Sequence, residues 1–176
     1  MPGVDESRPF KPVGFKVVIV SDTRTRDDDK SGDTLAARIE EAGHTLVART
    51  IVPDDREAIR TAVMAGVGDG AVDAVITSGG TGFTGRDVTP DALEPLFEKR
   101  MDGFSAVFHA ISHGKIGTST LQSRCTAGLI HGTFVFVLPG SPGACRDAWD
   151  HILREQFDYR FRPCNLVEIM PRIAER

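Results

Sequence analysis

Residues 74–90, Ala-Val-Ile-Thr-Ser-Gly-Gly-Thr-Gly-Phe-Thr-Gly-Arg-Asp-Val-Thr-Pro, constrain the fold more than any other stretch of this chain. The run opens as an apolar, β-branched segment, the pattern of a strand with both faces covered, as in a parallel sheet flanked by helices. It then breaks into Gly79-Gly80-Thr81-Gly82. Glycine accepts positive φ and lets a ligand approach the backbone, so successive N–H groups can converge on an anion. Arg86 and Asp87 come next, and Thr89-Pro90-Asp91 reads as helix N-cap, N1 proline and first-turn acid.

The same alternation recurs along the chain. Residues 15–20 read as a strand ending at Ser21-Asp22, followed by a charged loop over 23–30 without an apolar anchor. Ser31-Gly32 opens a helix with Leu35, Ile39 and Ala42 on one face, and Gly43 stands where a C′ glycine belongs. A strand over 45–52 closes at Pro53-Asp54-Asp55, and Asp55 can cap the helix that carries Ile59, Ala62 and Val63. Beyond the central loop, Leu93, Leu96 and Phe97 mark a short helix, and Phe104, Val107, Phe108 and Ile111 mark a second. Residues 112–126, rich in Ser, Thr and Gly, read as loop with Ser123-Arg124 at a turn. A buried strand over 133–138 leads into Pro139-Gly140-Ser141-Pro142-Gly143. A last helix bears Cys145, Trp149, Ile152, Leu153 and Phe157, and 158–176 reads as an extended tail. Residues 1–14, with Pro2, Pro9 and Pro12, read as a flexible N-terminal arm ahead of a single domain over 15–176. The expected fold is a three-layer α/β/α domain with a mostly parallel sheet.

Bulk properties exclude several function classes. The chain has 176 residues and a formal net charge of −4, with no basic run, which argues against nucleic acid as a partner. No stretch of about 18 apolar residues is present and the N-terminus lacks an apolar signal core, so neither a membrane nor export is expected, and a cytoplasmic location is. Cys125, Cys145 and Cys164 are widely spaced, without the pairing of a disulfide framework or zinc site.

Ligands of open α/β sheets sit at the carboxyl ends of the strands, near the point where strand order reverses. Four such ends carry polar or glycine-rich material: Ser21-Asp22, Pro53-Asp54, Gly79–Gly82 and Pro139-Gly140-Ser141. The glycine loop lacks the Gly-Lys-Ser/Thr of a Walker loop and the spacing of a dinucleotide fingerprint, so it reads either as a phosphate cradle or as a tight turn. Asp54 and Asp87 both follow strand ends. Two carboxylates beside a phosphate repel it unless a cation intervenes, which points to Mg²⁺, a cation that prefers oxygen ligands. Arg86 reads either as the cation offsetting charge on a transferring group or as a surface ion pair. Ser123 lacks a nucleophile elbow. His109 and His113 have the i, i+4 spacing of zinc ligands but no third ligand, and read as core or solvated histidines.

Residues 77–92, together with Val20-Ser21-Asp22-Thr23, Val52-Pro53-Asp54, Leu121-Gln122-Ser123-Arg124 and Leu138-Pro139-Gly140-Ser141-Pro142, resemble the MogA/MoaB family of molybdopterin-binding proteins. Residues 117–124 and 161–165 are most similar to its MoaB branch, whose members are molybdenum cofactor biosynthesis proteins B. The resemblance implies trimers or hexamers, and transfer of AMP from Mg-ATP to the terminal phosphate of molybdopterin. Asp54 and Asp87 then fall on the aspartates needed for activity, and both are assigned to Mg²⁺. The ligand-binding set is Ser21, Asp22, Gly79, Gly80, Thr81, Gly82, Arg86, Ser123, Pro139, Gly140 and Ser141. Other molybdenum cofactor biosynthesis proteins are implied as partners. Val137 departs from the family pattern, which usually has Asn there. Two alternatives remain open at this stage: a carrier that binds molybdopterin with weak or no turnover, and an oligomeric assembly module.

Overall fold

In the computed structural model, which describes residues 1–175, the first half contains β1 (Gly3–Val4), β2 (Gly14–Val20), α1 (Lys30–Glu41), β3 (Thr45–Val52), α2 (Arg56–Val67), β4 (Ala74–Ser78) and α3 (Thr89–Leu93). The second half contains β5 (Lys99–Arg100), α4 (Asp102–Ile116), β6 (Thr126–Ile130), β7 (Thr133–Leu138), α5 (Pro142–Ala148), α6 (Arg154–Gln156), β8 (Phe161–Arg162) and α7 (Leu166–Ile169). Six strands form the main sheet in the order β3-β2-β4-β7-β6-β5. The first four are parallel, and β6 and β5 join antiparallel.

Every residue of β2 is buried, and its side chains alternate between two cores. Phe15, Val17 and Ile19 pack with Leu35 and Ile39 of α1, Phe104 and Phe108 of α4, and Trp149. Val18 and Val20 pack on the other face with Ile59 and Val63 of α2 and Leu93 of α3. This is the expected three-layer α/β/α arrangement. It also explains why β2, β4 and β7 read as continuous apolar runs rather than alternating ones. Strand order runs outward in both directions from β2 and β4, which places the switch point at the ends of those two strands.

Four segments depart from the sequence expectation. Residues 112–126 are not one loop: α4 continues to Ile116, a 3₁₀ turn covers 117–122, and β6 begins at Thr126. The β6 sequence, Thr-Ala-Gly-Leu-Ile, has little intrinsic strand character. It is held by pairing with β7 through a two-residue turn in which His131 and Gly132 both have positive φ, 46° and 87°. Gly128 within it is required because the Phe97 ring lies where a Cβ would stand, 2.4 Å from its Cγ. Thr89 is not the cap of α3: the N-cap is Val88, and the Thr89 hydroxyl is used elsewhere. Residues 158–175 hold β8, α7 and a 3₁₀ turn rather than an extended tail. The expected arm, 1–14, lies against that segment, with β1 antiparallel to β8 and Arg8 bonded to Glu168 at 3.1 Å. The last long helix is interrupted by a π turn at Trp149–Leu153, which still buries Trp149 and Leu153.

Candidate active site

At the end of β2 the Ser21 hydroxyl accepts the N–H groups of Thr23 and Arg24, at 3.3 and 3.2 Å, which turns the chain back over the sheet edge. Asp22 accepts the Asp54 N–H at 3.0 Å, tying the end of β2 to the end of β3. Asp22 also pairs with Arg86, whose side chain is 69% exposed. Of its two readings, Arg86 therefore takes the surface ion pair in this structure.

The glycine loop at the end of β4 needs its glycines for two different reasons. Gly79 has φ 116°, and a Cβ there would lie 2.1 Å from the Val20 carbonyl oxygen. Gly80 has φ 64°, and a Cβ there would lie 2.4 Å from the Thr89 hydroxyl and 2.9 Å from an Asp54 carboxylate oxygen. Asp54 thus lies directly against the glycine loop, and no larger residue fits between them. Thr89 closes the loop from the helix side: its hydroxyl donates to the Gly79 carbonyl at 2.9 Å and its N–H to the Gly80 carbonyl at 3.0 Å. That use is why it does not cap α3.

Asp87 accepts the Thr84 hydroxyl at 2.6 Å and the Thr84 N–H at 2.9 Å. One guanidinium laces the rest of the loop. Arg124 donates to the Gly82 carbonyl at 2.9 Å, the Asp87 carbonyl at 2.7 Å and the Asp91 carboxylate at 2.9 Å, while its N–H reaches the Thr81 carbonyl at 2.8 Å. Its neighbour Ser123 meets Thr81 hydroxyl to hydroxyl at 3.2 Å. From the other side, Gly140 packs on Gly79, with 3.1 Å from a Cβ built at Gly140 to the Gly79 Cα. The Ser78 hydroxyl donates to the Pro139 carbonyl at 3.0 Å, and the Ser141 hydroxyl accepts the Ala144 N–H at 3.1 Å as the cap of α5. The structure therefore gathers Ser21, Asp22, Asp54, Gly79, Gly80, Thr81, Gly82, Arg86, Asp87, Ser123, Pro139, Gly140 and Ser141 along one sheet edge. Ser141 and Ser21 are there as turn and cap residues, with their hydroxyl oxygens already engaged.

Charge is distributed unevenly along this edge. Burial, and then the carboxylates of Asp22 and Asp87, hold the Asp54 carboxyl above its ordinary value. Asp22 is lowered, first by its bond from Arg86 and then by the Asp54 N–H. Asp87 is lowered by the Thr84 hydroxyl, with the Thr84 and Gly82 N–H groups contributing. One carboxylate disfavoured as an anion, between two that stay ionised, is a concentration of negative charge that a divalent cation relieves. The donors are all oxygen, as Mg²⁺ requires. Among the described residues no group of three His, Cys, Asp or Glu side chains is preassembled for a metal, so Asp54 and Asp87 would share the ion with substrate oxygens.

Sequence reasoning missed Asp29, its partner Arg49, and Arg24. Asp29, fully buried, caps α1 at the Gly32 N–H (2.9 Å) and bonds Arg49, whose side chain is 3% exposed. The charged loop is therefore anchored by an ion pair rather than by an apolar side chain. Its signal was Asp29 standing directly before a helix start. Arg24, in the same loop, donates to the Gly140 carbonyl and the Ser31 hydroxyl, each at 3.0 Å. His109 bonds Thr120 at 2.8 Å and approaches the Cys125 sulfur at 3.5 Å, so it is a packed histidine and not half of a zinc pair. Val137 is fully buried in the core on the α2 side. A cavity of about 680 Å³ lies away from this edge, between β1, the end of α1 and Trp149; its Arg38–Asp150 and Arg160–Asp158 pairs already satisfy one another.

A mostly parallel sheet with helices on both faces, and a glycine loop lying against the carboxylates of Asp54 and Asp87 at its switch point, define a doubly wound α/β protein. The chain belongs to the family described as "Probable molybdopterin binding domain", whose sequence model matches residues 16–159. It is 45% identical to molybdenum cofactor biosynthesis protein B of Escherichia coli over 159 residues, covering 90% of this chain and 94% of that one. It is 37% identical to the molybdopterin adenylyltransferase of Pyrococcus furiosus over 163 residues, covering 88% and 95%. A crystal structure of molybdenum cofactor biosynthesis protein B superposes with a TM-score of 0.86 at 39% identity, covering 96% of this chain and all of the other.

Proposed function

We propose that this chain is a molybdopterin adenylyltransferase of the MoaB type, transferring AMP from ATP to the terminal phosphate of molybdopterin and releasing pyrophosphate. The observation that carries the reading is Asp54, pressed against Gly80 between Asp22 and Asp87. Membership in the family, and the adenylyltransferase among the relatives, supply the substrates.

In the reaction a phosphate oxygen of molybdopterin attacks the α-phosphorus of ATP. The bond from that phosphorus to the bridging oxygen breaks, and pyrophosphate leaves with the electron pair. Such transfers depend on positioning and charge neutralisation more than on covalent catalysis. Backbone N–H groups of Gly80 and Thr81 hold the attacking phosphate, those of Gly79 and Gly82 being taken by the Leu138 carbonyl and the Asp87 carboxylate. Asp54 and Asp87 would hold Mg²⁺, which would supply charge neutralisation at the phosphates. Ser123, fixed on Thr81, contributes a hydroxyl at the pterin end. Arg124 keeps the loop in shape without meeting substrate.

The exposed apolar side chains Val107, Ile116 and Leu121, on α4 and the turn that follows it, support self-association as a trimer or hexamer. No helix among the described residues is long and apolar enough to cross a membrane, and we place the reaction in the cytoplasm. Pyrophosphate release tests the proposal: the protein with Mg²⁺ and ATP should release it only when molybdopterin is added. Release independent of molybdopterin, or none in its presence, refutes the transferase reading; tight molybdopterin binding without release leaves a carrier.

A further inference from the structure

Transfer from ATP leaves pyrophosphate carrying several negative charges, and the site needs a cation where that charge accumulates. Four arginines stand near the sheet edge, and three are committed. Arg86 is paired with Asp22 and largely exposed. Arg124 places its guanidinium on two backbone carbonyls and Asp91. Arg49 is buried between Asp29 and Asp33. Arg24 differs from all three. Both of its hydrogen-bond acceptors are neutral, the Gly140 carbonyl and the Ser31 hydroxyl. Its nearest carboxylate, Asp29, is 3.9 Å away, and that carboxylate already accepts from the Gly32 N–H and from Arg49. A guanidinium has five N–H donors. Arg24 therefore keeps donors and charge in reserve, with 31% of its side chain open to solvent.

Its position suits an outer phosphate. Arg24 bridges from the end of β2 to the loop after β7, reaching Gly140, which packs directly on Gly79. That bridge lies beside Ser31 of α1, on one face of the sheet, whereas Asp54 approaches the glycine loop beside Thr89 of α3, on the other. In an in-line displacement the leaving group lies opposite the attacking group. If the acids and the glycine loop hold the attacking phosphate, the departing pyrophosphate faces the Arg24 side. Two fixed bonds also hold the guanidinium in place before the nucleotide arrives, which lowers the ordering cost of binding.

We infer that Arg24, and not Arg86, is the cation that meets the outer phosphates of the nucleotide. The inference rests on the adenylyltransferase reading and deepens it.

The experiment is calorimetric titration, without molybdopterin, of ATP and separately of AMP, each with Mg²⁺, into the wild type, Arg24→Gln, Arg24→Lys and Arg26→Gln. Arg26 lies in the same exposed loop and controls for a lost charge alone. Arg24→Gln should weaken ATP by roughly 10–100-fold, the worth of a charge-assisted bond pair. AMP, which lacks the outer phosphates, should lose far less. Arg24→Lys should recover part of the ATP affinity, and Arg26→Gln should keep the wild-type ratio of ATP to AMP affinity. An unchanged ATP affinity in Arg24→Gln overturns the inference. So does an equal loss for ATP and AMP, which would mark Arg24 as a strut of the loop. A wild type that binds neither nucleotide overturns the adenylyltransferase reading, and the inference with it.

Discussion

Replacing Arg124 by alanine should loosen the glycine loop more than any other single truncation outside it. The side chain spans three acceptors: the carbonyls of Gly82 and Asp87 and the carboxylate of Asp91, all within 2.9 Å. A hydrogen bond from a charged donor contributes about 1.5 kcal/mol net at the low end of its range, so the two carbonyl bonds amount to about 3 kcal/mol. The Asp91 pair is partly exposed, with 28% and 38% side-chain accessibility, and adds at most about 1 kcal/mol. For a chain of this size 1 kcal/mol moves the melting temperature by roughly 2–4 °C, so Arg124→Ala should lose roughly 10 °C. A lysine ammonium is a point charge and cannot reproduce the planar fork, so Arg124→Lys should recover about a third of the loss. Thermal denaturation measures the total, and amide exchange of residues 82–87 locates it. A melting point within about 2 °C of wild type, or lysine restoring full exchange protection, would refute the assigned role.

Gly79→Ala should cost at least about 3 kcal/mol, because it combines a positive-φ backbone with a Cβ 2.1 Å from a main-chain oxygen; urea denaturation reads this. Asp54→Asn should raise thermal stability at pH 7, the opposite of its effect on activity, since it removes a carboxylate disfavoured by burial and by two like charges. The sign follows from linkage: a carboxyl with a raised folded-state value takes up its proton more readily when folded, so its unfavourable contribution is fully present at neutral pH. It fades as pH falls through that raised value, so the gain of Asp54→Asn over wild type should shrink on acidification, beginning above 3.8. Melting curves at several pH values check it, and a gain that grows on acidification would contradict the assignment.

Much of the fold was legible because burial on both faces leaves an unmistakable pattern. Residues 15–20, 74–78 and 133–138 are mostly apolar and buried throughout, and all three proved to be neighbouring central strands. Strand β6 was not legible: Thr-Ala-Gly-Leu-Ile owes its state to the hairpin with β7 and to Phe97 over Gly128, both tertiary effects. For the site, Asp54, Asp87 and the glycines were readable from their place after strand ends. What linked them was not, because Arg124 and Arg24 act across 42 and 116 residues of sequence. Spacing carries no trace of contacts at that range. Thr89 shows the same limit: its local sequence reads as a helix cap, and only the folded loop reveals that the Gly79 carbonyl claims its hydroxyl.

The most direct test of the account is mass-spectrometric detection of adenylylated molybdopterin after a single turnover with ATP and Mg²⁺. The wild type should form it with one pyrophosphate released per product. Asp54→Asn, folded and still binding molybdopterin, should form it at least about 100-fold more slowly, the scale of a lost electrostatic contact in a transition state. Adenylylated product from Asp54→Asn at the wild-type rate, or none from a wild type saturated with molybdopterin, would contradict the assignment of this sheet edge as the site of AMP transfer.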